Sequence, residues 1–244
     1  MAEPREAQLS GGGLDGLEQM VLECAAGAQI ARATGEAEEV LFVLAGRGEL
    51  RLGAGTGERY ALEPETGVNL GPGEEYELRN EGSDPMRTVC VRICAPALET
   101  EGGAERKGAA RTVIRRLADQ EAQQATTDRS YRIVADPSTG LRSATHFVGY
   151  VPTERAPDHF HTYDEVIYVL DGEGAFHAGG EDTTLSAGST IELPARTVHC
   201  LENTGQDVMR LVAVFRPAGS PAAAYYPDGT PAYPGTPKLA TPNP

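Results

Sequence analysis

The chain contains no tryptophan, and only two of its 21 basic residues are lysines, Lys107 and Lys238. Lys107 lies in a Gly/Ala-rich stretch and Lys238 in a proline-rich tail. Neither setting buries an amine, so a desolvated Schiff-base lysine is not expected. Four cysteines, Cys24, Cys90, Cys94 and Cys200, form no CxxC pair and are too few to staple 244 residues. Reduced thiols in a cytoplasm, used for packing, are the expectation. No apolar run approaches the roughly 18 residues that span a bilayer. The opening "MAEPREAQLSGGG" has neither a basic nor an apolar signal region, so a soluble, unexported protein is expected. Positive charge is short as well. With 36 acidic residues and a net charge of −15, the field repels phosphate backbones and anionic lipid, and neither nucleic acid nor membrane is an expected partner.

What the chain does have is short apolar runs rich in β-branched residues and broken by Gly, Pro and Asn: "VLFVLAG", "RTVCVRIC", "THFVGYV", "VIYVLDG", "STIELP" and "RLVAVF". This pattern predicts an all-β fold. The stretch 111–124, "RTVIRRLADQEAQQ", reads either as one helix or, because its apolar positions are few, as an extended crossover. The two halves repeat. "EEVLFVLAGRGEL" (38–50) aligns with "DEVIYVLDGEGAF" (164–176), and "LRNEGSDPMRTVCV" (78–91) with "LENTGQDVMRLVAV" (201–214). The expected organisation is a barrel over 1–98, a linker or crossover over 99–125, a second barrel over 126–218 and a proline-rich tail over 219–244. The tail reads as frayed, or as pinned in part by Tyr225, Tyr226 and Tyr233.

Histidine is scarce too: all five lie between positions 146 and 199, and two are in "DHFHTYDE" (158–165). On an extended chain His159 and His161 project to one face and Phe160 to the other. The polar stretch "TYD" lets the chain turn so that Glu165 comes back towards the same point. His199, after a proline-containing turn in "GSTIELPARTVHCLEN", offers a third imidazole. Three neutral imidazoles and a carboxylate suit one divalent ion: Fe(II), Mn(II), Co(II), Ni(II), Cu(II) or Zn(II). Four protein ligands would leave open coordination positions, as a catalytic site requires.

The same residues resemble a known family. H-x-H-x3-E-x6-G from His159 to Gly172 is similar to the first cupin motif, and G-x5-P-x4-H-x3-N from Gly188 to Asn203 to the second. The resemblance implies a bicupin, two double-stranded β-helix (jelly-roll) barrels in tandem, with His159, His161, Glu165 and His199 as metal ligands and, by analogy, a homodimer. Arg196 departs from the second motif, which usually has glycine there. A gapless alignment through Glu39 places Ala33 and Gly35 at the positions of His159 and His161, and Tyr76 at that of His199. One metal site per chain, in the second barrel, follows.

Four further residues of that barrel, His146, Arg142, Tyr168 and His177, are candidates for proton transfer or substrate contact. Asp158 and Asp164 flank the ligands, where a carboxylate can fix a histidine tautomer. Gly172 and Gly174 form a hairpin turn and not a nucleotide fingerprint, since no helix pattern follows. The leading expectation is a metal-dependent oxidoreductase of the dioxygenase type, with Fe(II) or Mn(II) favoured, acting on a small oxygenated molecule. The alternatives are a metal-dependent isomerase, decarboxylase or lyase, and a non-catalytic binding module for a sugar or other small molecule.

Overall fold

The computed structural model describes residues 5–9, 14–53, 57–94, 111–125, 127–152 and 155–239. The predicted linker stretch 99–110 lies outside them. Nine strands make the first half: β1 (Arg5–Gln8), β2 (Leu17–Cys24), β3 (Gln29–Ala33), β4 (Glu38–Ala45), β5 (Gly48–Leu52), β6 (Arg59–Leu62), β7 (Thr66–Leu70), β8 (Glu75–Arg79) and β9 (Met86–Ile93). β10 (Ile114–Arg116) comes next in the chain and joins the first half's larger sheet; the second half has β11 (Gln123–Gln124), β12 (Ser130–Ala135), β13 (Thr145–Val151), β14 (Asp164–Asp171), β15 (Glu173–Ala178), β16 (Glu181–Ser186), β17 (Thr190–Leu193), β18 (His199–Asn203) and β19 (Met209–Arg216).

Each half closes a larger sheet over a smaller one, so the predicted pair of all-β jelly-roll barrels is what forms. In the first half the order is β1-β2-β9-β4-β7-β10 over β3-β8-β5-β6; in the second it is β11-β12-β13-β19-β14-β17 over β16-β15-β18. The repeat extends to irregularities. A bulge falls between Val43 and Ala45 opposite β9, and between Val169 and Asp171 opposite β19. Asn80 donates to the carbonyls of Cys24 and Asp84, as Asn203 does to those of Val151 and Asp207. The first glycine of each G-x-G turn has positive φ, 78° at Gly46 and 90° at Gly172, and a Cβ there would lie 2.6 Å and 2.7 Å from the Cα of Met86 and Met209.

Alternation along the central strands explains their unbroken apolar runs. On β14, Ile167 and Val169 fill the second barrel, while Val166 and Tyr168 join Val40, Phe42, Val89 and Val91 in a core between the barrels. Leu41 and Val43 of β4 fill the first barrel. Both faces are buried, so the runs carry no polar half. The barrels approach so closely that a Cβ on Gly67 would lie 2.0 Å from Val134 Cγ1. Glu38 ties them further, accepting from the amides of Arg142 (2.7 Å) and Ser143 (2.9 Å).

Residues 111–124 are extended and not helical. β10 adds to the free edge of β7, a 3-10 turn follows at Leu117–Asp119, and β11 pairs with β12. Only Val113 and Leu117 are buried in this stretch, too few for a helical apolar face, whereas the edge of β7 offers unpaired backbone groups. Among the described residues no helix is long and apolar enough to cross a membrane.

Candidate metal centre

His159 and His199 face each other as an isolated antiparallel bridge, with amide-to-carbonyl distances of 3.0 and 2.8 Å. His161 projects to the same side, while Phe160 turns outward and stacks on Tyr225 at 5.5 Å. The three imidazoles are buried, and one nitrogen from each lies within 4.8 Å of the other two.

Which nitrogens face inward follows from the outer contacts. Nδ1 of His159 is 2.9 Å from the Pro157 carbonyl, that of His161 is 2.8 Å from Ala223 O, and that of His199 is 3.0 Å from Thr197 O. A carbonyl only accepts, so each Nδ1 carries the proton and each Nε2 keeps a free lone pair. Burial disfavours the charged rings. It lowers the pKa of His159, takes His199 down to about 4 and holds His161 well below the ordinary value. Stacking fixes the His161 plane, with Tyr163 at 4.6 Å and Phe215 at 3.8 Å beyond it. Neutral, oriented imidazoles with inward lone pairs are a donor set that fits a divalent metal.

Glu165 lies outside the 4.8 Å cluster but lines the same cavity. It is buried, and desolvation pushes its carboxyl up to about 8. Among the described residues it has no hydrogen-bond or ion-pair partner. A buried carboxylate without an internal partner is a group that a bound cation would compensate. Its counterpart Glu39 has no such need. The Tyr76 hydroxyl donates to Glu39, as do Cys90 Sγ (3.1 Å) and Arg92 (2.9 Å), and Arg32 Nε lies 3.4 Å away. Arg32 pairs with Tyr76 as His159 pairs with His199, so Arg32, and not Ala33, occupies the His159 position. The first barrel has one extra residue in the turn before Glu39, which a gapless alignment misses.

The cavity holds about 90 Å³, with apolar walls from Phe147, Val151, Ile167, Leu201 and Leu211. None of the four further candidates lines it. His146 and Tyr168 face the core between the barrels, because β13 and β14 send Phe147, Glu165 and Ile167 inward and their neighbours outward. Arg142 is exposed on the loop before β13, and His177 sits between Asp182 (2.6 Å) and Glu202 (2.9 Å) on the outer hairpin. The tautomers are fixed by carbonyls and not by carboxylates. Asp158 pairs with Arg155, and Asp164 accepts from the Ala195 amide. Cys200 is buried with its thiol towards Ala156 O, away from the cavity, and Cys94 is exposed instead of packed. Arg196 takes the left-handed turn itself, at φ 65°, and its amide donates to His161 O at 2.7 Å.

Two contributors carry no motif. Arg129, at the start of β12, lines the cavity. The tail does so too, through Pro221 and Ala224, and its Tyr225 forms a second bridge with Phe160. Its described part, up to 239, is docked and not frayed.

Comparison with known proteins agrees with this architecture. The Cupin_2 family, described as "Cupin domain", matches residues 20–92 and 146–215. An uncharacterized protein of Streptomyces coelicolor is 27% identical over 106 residues, covering 43% of this chain and 96% of that protein. An oxalate-binding protein of Thermotoga maritima is 38% identical over 51 residues, 21% of this chain and 42% of that protein. Among solved structures, a putative glyoxylate induced protein from Pseudomonas aeruginosa superposes with a TM-score of 0.71 at 18% identity, covering 86% of this chain and 79% of its own. A Bacillus subtilis oxalate decarboxylase variant does so with a TM-score of 0.66 at 12% identity, covering 87% and 72%. With the family match falling once in each barrel and spanning more than half of the sequence, the chain belongs to the cupin superfamily as a bicupin.

Proposed function

We propose that the protein is a metal-dependent enzyme whose single site, in the second barrel, holds Fe(II) or Mn(II) through His159, His161 and His199, with Glu165 as the fourth ligand. The observation that carries this reading is the set of three imidazoles committed at Nδ1 to carbonyls and free at Nε2, beside a buried carboxylate with no cation of its own. The reaction we propose is oxidative, of the dioxygenase type, on a small oxygenated organic molecule. In support, Phe147, Val151, Ile167, Leu201 and Leu211 give part of the cavity an apolar wall, which suits dioxygen, and a space of about 90 Å³ admits only a handful of non-hydrogen atoms.

The metal, when bound, supplies Lewis-acid polarisation and one-electron chemistry. The chain's own residues do the rest. The carbonyls of Pro157, Ala223 and Thr197 hold the ring protons away from the reacting space, and the Tyr163–Phe215 stack keeps His161 from turning. The apolar side chains of Phe147, Val151, Ile167, Leu201 and Leu211 beside the imidazoles lower the local dielectric, which strengthens electrostatic interactions there.

A second, redox-neutral reading is that of a metal-dependent isomerase, decarboxylase or lyase acting on a small acid; the 38% identity over 51 residues to the oxalate-binding protein supports only a small acid as the ligand. That protein's name also keeps a pure binding role in play. The test is anaerobic reconstitution with Fe(II) or Mn(II), elemental analysis beside the His159→Ala, His161→Ala double variant, and oxygen uptake across a panel of small acids. About one metal per chain, lost in the variant, with turnover that stops without oxygen, supports the oxidative reading. Turnover that persists without oxygen supports the redox-neutral one. Protein that stays metal-free overturns both.

A further inference from the structure

We infer that Arg129 makes the cavity a site for a small carboxylic acid, gripping one carboxylate while a second oxygen of the ligand faces the histidine cluster. This deepens the reading under Proposed function and rests on it for the metal, but the argument for Arg129 stands on its own surroundings.

Arg129 is the only arginine in the buried class among the described residues, with 9% of its surface exposed. Arg32, Arg92 and Arg210, which are partly buried, each pair with a carboxylate: Glu39 for the first two, and Asp171 with Glu65 for the third. Arg129 has none. No described Asp or Glu comes within ion-pair distance of it; one guanidinium nitrogen donates to Leu201 O at 2.5 Å, and Nε is buried without any partner. Removing a guanidinium from water without an anion is costly, so a folded chain keeps it only where something else supplies the charge. Asp128, its chain neighbour, acts on it only from beyond ion-pair distance, whereas Arg129 lines the same cavity as His159, His161 and His199.

Charge balance narrows the ligand. A divalent ion and Arg129, set against ionised Glu165, leave the cavity with two positive charges in excess. A carboxylate with a second acidic or strongly polar oxygen answers that excess, and a guanidinium fork matches carboxylate geometry better than it does an alcohol or amide. Size agrees. At about 10–15 Å³ per water-sized probe position, a cavity of about 90 Å³ takes a ligand of few atoms.

The test uses the full chain loaded with Mn(II), and calorimetric titration with oxalate, the smallest dicarboxylate, and with oxamide, its neutral isostere. Wild type, Arg129→Met and Arg129→Lys are compared, with metal content measured on each. Chelation in solution is common to all three and cancels in the ratio. The expected result is oxalate affinity at least about 50-fold weaker in Arg129→Met, partly restored in Arg129→Lys, with unchanged metal content and no difference for oxamide. Equal oxalate affinity in wild type and Arg129→Met overturns the inference. So does a wild type that binds oxamide as well as oxalate. If the chain takes up no metal, the reading under Proposed function fails by itself, and the same titrations on metal-free protein still decide Arg129: weakening in Arg129→Met sustains it and equal affinity overturns it.

Discussion

Arg32 stands opposite Tyr76 in the first barrel where His159 stands opposite His199 in the second. The carboxylates nearby, Glu39 and Glu165, occupy the same second position of β4 and β14. Two solutions to one electrostatic problem therefore sit in one chain. In the first, guanidinium groups and a phenol satisfy the buried carboxylate from within the protein. In the second, no described side chain satisfies the carboxylate, which is the feature that a bound cation would answer.

The contrast predicts opposite responses to the same substitution. In metal-free protein, Glu39→Gln takes the buried carboxylate from Arg32, which keeps Glu6, and from Arg92, which keeps Glu18 and the carbonyls of Ala33 and Thr34, and costs about 3 kcal/mol of stability. Glu165→Gln removes an uncompensated carboxylate and leaves stability equal or higher, yet weakens metal binding at least tenfold. Urea unfolding in the presence of a chelator, followed by metal titration, reads both; equal destabilisation by the two substitutions would refute the contrast.

Ending the chain after Ser220 removes the Ala223 carbonyl that holds His161 Nδ1, together with the Phe160–Tyr225 bridge. Loss of such an outer contact typically weakens metal affinity by about 10–100-fold. Competition against a chromophoric chelator measures it, and Tyr225→Ala, which keeps the Ala223 carbonyl in the chain, should fall between truncated and full-length protein.

His146 is fully buried next to Phe42, its Nδ1 without a partner, and desolvation lowers its pKa to about 3. The unfolded chain, with an ordinary value near 6.5, binds this proton first. The stability conferred by the neutral ring is therefore present above about pH 6.5 and is lost as pH falls towards 3, at up to about 1.4 kcal/mol per pH unit. His146→Leu should match wild type or exceed it at pH 7.5 and be clearly more stable at pH 5. Parallel acid limbs in the two unfolding profiles would show that the ring is not buried neutral.

Much of this was legible in the residues. Alternation and the long repeat dictate two barrels, and the H-x-H spacing dictates two imidazoles on one face. Tyr168 was legible too: once Glu165 points inward, a residue three positions on must point out. Other parts leave no mark. The carbonyl of Ala223 has no residue-type signature, Arg129 is a lone arginine at a strand start, and the extra residue before Glu39 emerges only from strand pairing.

Arg196 holds a left-handed conformation that glycine adopts freely. Arg196→Gly should therefore raise stability by about 0.5–1 kcal/mol while keeping the amide bond to His161 O. A lowered thermal midpoint would mean that the arginine side chain contributes more than the backbone loses.

The core shared by Val40, Phe42, Val166 and Tyr168, sealed at its edge by β10, gives the first barrel a role that needs no chemistry. It is a tethered subunit. A free-standing second barrel would need another protein to cover that wall, at the mercy of dilution; a covalent neighbour is present at an effective concentration that no separate chain sustains. The barrel that carries the three imidazoles thus has a permanent companion, whose own side chains serve packing and not a histidine cluster.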